Sequence, residues 1–301
     1  MKRKIFQPVF YTLIYILLTG CTADIDIKTN DSEPVIVIYG LLTNEYKKQS
    51  VRLTRSSPYF SQEKNEAVSG AVVRITSSLN EEFNLMESQS EKGTYETTDS
   101  LSAKAGITYR LNIQVDFDGD GIVDTYEAET VMQPAISLDS IRIKPLRIMG
   151  ESYYALNLYA TDSPDEDYYI CNYFVNDTLK TDRISRYRML GDEIVNGEYI
   201  NGLTIEYFLD RKEAKKHENE DNFDDLIFVS PGDHITIEMN KVEKSYYLFI
   251  IDCQMEMKGE NPFFGGPASN IRTNISKGGT GFFSAYTINR IEASVPADET
   301  N

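Results

Sequence analysis

The residues from Asp116 to Glu127 carry the densest chemical pattern in the chain: Asp116-Phe117-Asp118-Gly119-Asp120-Gly121-Ile122-Val123-Asp124-Thr125-Tyr126-Glu127. Counted from Asp116, carboxylates fall at positions one, three, five and nine, a glycine at six and a glutamate at twelve. That is the spacing of an EF-hand-type calcium loop. Carboxylates packed this closely repel one another unless a hard cation holds them, and calcium accepts about 6–8 oxygens in flexible geometry. The expected ligands are Asp116, Asp118, Asp120, the Ile122 carbonyl, Asp124 and Glu127. Strands and not helices flank the segment, which does not exclude calcium, and the expected role is structural, with the ion stiffening a long hairpin loop. The alternative is an acidic, glycine-rich hairpin that holds no metal.

A second chemical signal stands at Cys21. It follows Leu18-Thr19-Gly20 and closes a short apolar stretch that begins after Lys2, Arg3 and Lys4. A basic region, an apolar region and small residues before a cut site make a secretory signal. A cysteine directly after the small residue resembles a lipobox, so cleavage before Cys21 and lipidation of that residue are expected. The alternatives are a signal peptide without lipid and an N-terminal anchor helix. Val9 to Leu18 is too short to span a bilayer, which takes about 20 apolar residues. Several acyl chains hold a protein to a membrane far more firmly than one.

The other cysteines, Cys171 and Cys253, either form one disulfide in an oxidising compartment or are two separately buried thiols. No Cys-x-x-Cys pair exists, so the spacing supports neither a zinc site nor thioredoxin-like chemistry. His217 falls in a charged segment and His234 at a strand start, and both read as surface residues. No nucleophile elbow, P-loop or HExxH helix is present. Tryptophan is absent, and the 20 tyrosines and 14 phenylalanines read as core residues and cross-strand pairs.

With 30 basic and 47 acidic residues, the chain has a net charge of -17. Such a surface repels phosphate backbones and anionic head groups, which excludes nucleic acid as an expected partner. The apolar content of 41% is enough for real cores.

The elements that must position these residues are mainly β. Residues 22–33 are polar and acidic, with Asp24, Asp26, Asp31 and Glu33, and read as a tether. From Pro34 onward short alternating runs predict strands: Val35 to Tyr39, Ser50 to Thr54, Ala71 to Ile75, Phe83 to Leu85, Tyr109 to Val115 and Tyr126 to Met132. Further strands are expected at Leu138–Ile143, Tyr154–Tyr159, Tyr168–Val175, Asn201–Leu209 and Asp233–Met239, with a final strand near Phe282–Ile291. Arg211 to Asp225 reads as a solvated loop or short surface helix. Residues 243–257 fit either a strand or a helix. A helix is favoured, because Tyr246, Ile250, Cys253 and Met257 share one face at 3.6 residues per turn. The expected fold is mainly β, with two β-sandwich domains of immunoglobulin or transthyretin type, the second carrying that C-terminal helix. The expected boundaries are a signal at 1–20, a lipidated tether at 21–33, an N-terminal sandwich with the calcium hairpin at 34–134, and a C-terminal β-rich domain at 135–301.

Several segments together resemble a large Bacteroidota family of outer-membrane lipoproteins that carries only a domain-of-unknown-function label. These are Cys21 with its acidic tether, Pro34-Val35-Ile36-Val37-Ile38-Tyr39-Gly40-Leu41-Leu42-Thr43, and Val51-Arg52-Leu53-Thr54-Arg55-Ser56-Ser57-Pro58-Tyr59. They continue with Val68 to Ile75, Gly106 to Leu111, Asn261-Pro262-Phe263, Ser269-Asn270-Ile271, Asn274-Ile275 and Gly278 to Tyr286. Members of that family typically sit beside TonB-dependent outer-membrane receptors. The resemblance therefore implies an accessory role in uptake, and it offers no catalytic residues to carry over. It also implies that the calcium loop is local to this chain, replacing a shorter hairpin.

The expected function is that of a non-enzymatic outer-membrane lipoprotein, lipid-anchored and facing the cell surface rather than the periplasm. It would be an accessory subunit of a TonB-dependent nutrient transporter. The alternatives are a calcium-stabilised surface adhesin or structural module, and a glycan or peptide hydrolase with an unrecognised site.

Overall fold

In a computed structural model of the chain, the described residues are 33–57, 65–191, 197–221, 223–258 and 271–297. Cys21, the signal segment and the tether up to residue 32 lie outside them, as do Pro58, Tyr59, 261–263, Ser269 and Asn270. Residues Pro34–Asn301 form one compact unit. The chain is mainly β, as its alternating runs predict.

Seven strands come first: β1 (Ile36–Thr43), β2 (Ser50–Arg55), β3 (Val72–Ser77), β4 (Glu82–Glu87), β5 (Thr94–Thr97), β6 (Thr108–Val115) and β7 (Asp124–Val131). Their alternation is the cause of their pairing. In β6, Tyr109, Leu111, Ile113 and Val115 point inward, while Arg110, Asn112 and Gln114 stay outside. Each apolar side chain fully buried this way contributes about 1.5–3 kcal/mol. The first core is made of these inward rows together with Met132, and it is completed by Ile275, Phe283 and Ala285 from far along the chain.

The second half starts its own core at Ile136. Strands β8 (Ser137–Ile148), β9 (Glu151–Thr161), β13 (Tyr199–Asp210) and β14 (Phe228–Val229) make one four-stranded sheet. Strands β10 (Tyr168–Val175), β11 (Thr178–Leu179), β12 (Arg188–Gly191), β15 (His234–Val242) and β17 (Arg290–Ser294) make another. The two sheets enclose the second core, with Leu156 and Leu158 of β9 and Phe208 of β13 on one side and Tyr173 of β10 and Ile237 of β15 on the other. This half is a sandwich. Its charged stretch forms only short helical turns, at Arg211–Glu213, Ala214–His217 and Phe223–Asp225.

The helix α1 spans Lys244–Lys258. Tyr246, Phe249, Ile250 and Cys253 recur at helical spacing and build a third core with Ile170 and Val242. Met257, which the period places on the same face, is 49% exposed, since it lies a turn beyond the packed residues.

Strand β16 (Thr280–Tyr286) departs from expectation. The predicted final strand over 282–291 is two strands in two different sheets. β17 pairs with β15, whereas β16 returns to the first half and pairs parallel with β1. The resulting eight-stranded order is β16-β1-β2-β5-β4-β3-β6-β7. This single sheet curls around the first core until its two edges approach: the Ala285 N–H donates to Thr130 Oγ1 at 3.2 Å. Asn274 bridges the edges, donating to the Glu129 carbonyl of β7 at 3.0 Å and to the Phe283 carbonyl of β16 at 2.8 Å. Ser276 completes the cover by exchanging hydrogen bonds with the Glu127 backbone at 2.8 and 2.9 Å. An uncovered strand edge of this length invites pairing with other chains.

Gly281 makes the β1–β16 approach possible. It has φ +93, and a Cβ at this position would lie 2.1 Å from the Ile38 carbonyl oxygen. Gly281→Ala is therefore expected to cost about 3 kcal/mol from overpacking and forced backbone, lowering the melting temperature by roughly 5–10 °C. Gly106 has φ +78 in open space, so Gly106→Ala is expected to cost only about 1–2 kcal/mol. Thermal melts of the two variants check the difference.

Candidate functional site

Two places collect groups with binding chemistry: the acidic hairpin and a cleft between the two halves. The hairpin joins β6 to β7. Phe117, its second residue, is buried in the first core and carries the Arg55 guanidinium 4.2 Å above its ring, which pins the loop at its base. The aspartates then fold over the loop backbone. Asp116 accepts from the N–H groups of Gly119 (2.9 Å) and Gly121 (3.1 Å), Asp118 from Asp120 (3.1 Å), and Asp120 from Ile122 (2.7 Å). Gly121, at the sixth position, has φ +85, a backbone that glycine adopts at no steric cost.

Ligand oxygens of Asp116, Asp118 and Asp120 lie within 4.8 Å of one another. The structure brings these three expected ligands together, and Asp124 and Glu127 stand outside the group. The cause is the strand that follows. Asp124 pairs with Val115 and already belongs to β7, so at roughly 3.3 Å per residue Glu127 sits about 10 Å farther along the strand. There it faces Asn112, whose amide donates to it at 3.3 Å. A helix after the loop would wrap position twelve back toward position one, and a strand carries it away. Three exposed carboxylates lie at this spacing, and these are the residues that could hold a hard cation.

The cleft has a volume of about 330 Å³. One wall is the end of β1 and the loop to β2, and the other is β10, β15 and the start of β17. Buried Gln49 shapes the loop: its Oε1 accepts from the Thr43 N–H at 3.0 Å, and its Nε2 donates to the carbonyls of Leu101 (3.0 Å) and Glu45 (3.1 Å). Asn44 locks this wall to the other half, donating to the Ile288 carbonyl at 3.2 Å and accepting from the Ile288 N–H at 2.9 Å.

Glu238 is buried at the base of the cleft. One oxygen accepts from Asn172 (3.3 Å) and Asn240 (3.1 Å), the other from Arg290 Nε (3.0 Å) and Nη2 (2.7 Å). Arg290 also reaches Glu45 at 2.7 Å, and Lys47 holds the other Glu45 oxygen at 2.8 Å. The Lys47 ammonium, helped by Arg290, holds the Glu45 carboxyl below the usual carboxylate range. Burial keeps the Tyr286 phenol well above its ordinary value, with Tyr39, Tyr187, Glu238 and Glu45 adding to the effect, so it stays neutral. No local motif marks these residues, because they come from four distant stretches of the chain.

Cys171 and Cys253 are both buried and both free. Cys171 points from β10 into the second core, while the preceding Ile170 points into the third, where Cys253 sits on α1. A strand separates the two thiols, so they do not form the disulfide considered above. Burial, with Asp252 adding, pushes the Cys253 thiol up to about 11, and burial raises that of Cys171 further. Both histidines bind carboxylates and neither lines the cleft. His217 lies between Glu220 (2.6 Å) and Glu151 (3.1 Å), which raise its pKa, and His234 meets Glu292 at 2.8 Å. Among the described residues no helix is long and apolar enough to cross a membrane.

The profile of one protein family, described as Domain of unknown function (DUF4249), matches residues 22–292. No curated protein matches the chain. The family match spans the acidic hairpin, both walls of the cleft and α1, and the chain belongs to this family, DUF4249.

Proposed function

We propose that this chain is a non-enzymatic lipoprotein, anchored through Cys21 to the outer membrane at the cell surface, that serves as an accessory subunit of a TonB-dependent nutrient transporter. The observation that carries the reading is Cys21 itself, placed after Leu18-Thr19-Gly20 and a basic-then-apolar leader. The acidic stretch through Asp24, Asp26, Asp31 and Glu33 then serves as tether to a body that begins at Pro34. The transporter partner comes from the resemblance to Bacteroidota lipoproteins and is an analogy at family level. The cleft supports a role in capture: it lies at the end of β1 opposite Pro34, about 25 Å along the strand from where the chain enters the body.

Isolation of the tagged lipoprotein from its native outer membrane in mild detergent tests this reading. A TonB-dependent receptor is expected in stoichiometric amount. Repeated recovery of the lipoprotein alone would overturn it and bring forward the adhesin and hydrolase alternatives.

The acidic hairpin supports a second element of the proposal, a structural calcium ion held by Asp116, Asp118 and Asp120. Glu127 is left out of this ligand set because it lies along β7 with Asn112. Calcium at about a hundredfold excess over its Kd is expected to add about 2.7 kcal/mol of stability, read as a rise in melting temperature reversed by chelator. Asp116→Ala should abolish that rise and Glu127→Gln should retain it. A wild-type melt indifferent to calcium and chelator would show that the loop holds no calcium.

A further inference from the structure

The cleft has an uneven supply of hydrogen-bonding groups. Both of its carboxylates are already satisfied: Glu238 by Asn172, Asn240 and Arg290, and Glu45 by Lys47 and Arg290. Each Glu238 oxygen accepts two bonds and has none left for a ligand, while Glu45 accepts one bond per oxygen and is charge-compensated by Lys47 and Arg290. Its cations are in surplus. An arginine has five N–H donors, of which the contacts above use three, and an ammonium has three, of which Lys47 uses one. Lys48 is exposed at the cleft and has no partner among the described residues. The local balance is Lys47, Lys48 and Arg290 against Glu45 and Glu238, a net positive spot on a chain of net charge -17. A concave site with walls of low dielectric focuses such a local field. Between the charges the lining is apolar, with Leu41, Phe174, Leu179 and Ile288.

We propose that this cleft binds a small organic anion, a carboxylate carried on an apolar body. The acceptor-rich end would take the spare N–H groups of Lys48, Lys47 and Arg290, and the apolar body would lie against Leu41, Phe174 and Ile288. A volume of about 330 Å³ is at the small end of ligand sites, which run from about 300 to 1,000 Å³. It suits a molecule the size of one or two amino-acid residues. A peptide C-terminus and a free aliphatic acid share this chemistry. The assignment names a ligand class for the uptake role and rests on that reading for its biological meaning. Titration needs no receptor and receptor co-purification needs no ligand, so either can fail alone.

The test is calorimetric titration of the full lipoprotein in nanodiscs, with empty nanodiscs as the blank. The probes are N-acetyl-leucine, N-acetyl-leucinamide and hexanoate. Saturable binding of N-acetyl-leucine with a Kd on the order of 1 mM or below, and at least tenfold weaker binding of the amide, is the expected result. Equal affinity for hexanoate would assign the site to free organic acids, and preference for N-acetyl-leucine to peptide ends. Lys48→Glu, an exposed change outside every core, is expected to weaken acid binding at least tenfold without moving the melting temperature. Binding of neither acid, equal binding of acid and amide, or unchanged affinity in Lys48→Glu would each overturn the proposal.

Discussion

The parallel pairing of β1 with β16 is the constraint on which the rest of the structure depends. β1 opens the folded unit and β16 comes near its close, so nothing local in the chain brings them together. Closing so long a loop costs entropy before any contact repays it. The repayment is made on both sides of the pair. Ile36, Ile38 and Leu42 point into the first core, while Tyr39 and Leu41 of β1 and Phe282 of β16 point into the third, against α1. The Tyr39 and Tyr246 hydroxyls, 2.8 Å apart, add a polar link across that contact. With both faces covered, β1 reads as a nearly continuous apolar run, as parallel strands buried on both sides do.

The position of the cleft follows from that pairing. β16 belongs to the first sheet and β17 to the second, with only residues 287–289 between them. That short crossing is where Asn44 grips Ile288 and where Thr287 donates to the Gln133 carbonyl at 2.7 Å. The walls of the cleft therefore come from different sheets yet are fixed to one strand pair, and Arg290 stands where it meets Glu45 of one half and Glu238 of the other. Glu238 and Arg290 stand on strands, while Glu45, Lys47 and Lys48 stand on the β1–β2 loop, which Gln49 and Asn44 tie to its surroundings.

Much of this was legible in the sequence wherever one local period decided the outcome. Tyr109 to Val115 alternate and form β6, and Tyr246, Ile250 and Cys253 recur at helical spacing and form the inward face of α1. The hairpin aspartates were legible for the same reason, since residues two apart in a tight loop are neighbours. Glu127 stands apart from them because the template assumes a helix after the loop, and here a strand in register with β6 carries it toward Asn112. The split of the final strand was illegible because Phe282 to Ile291 is apolar enough for either sheet, and the choice between them is made by partners far away in the chain. The charge cluster of the cleft had no sequence signal at all: Glu45, Asn172, Glu238 and Arg290 are ordinary strand and loop residues until the β1–β16 pairing brings them together.

This pairing is expected to make Pro34–Asn301 a single cooperative body, and differential scanning calorimetry of the chain with calcium in excess tests that most directly. One transition, with equal calorimetric and van't Hoff enthalpies, is the predicted result. Two separated transitions, one for the sheet around the first core and one for the sandwich, would contradict it, because the pairing of β1 with β16 would then not join the two halves.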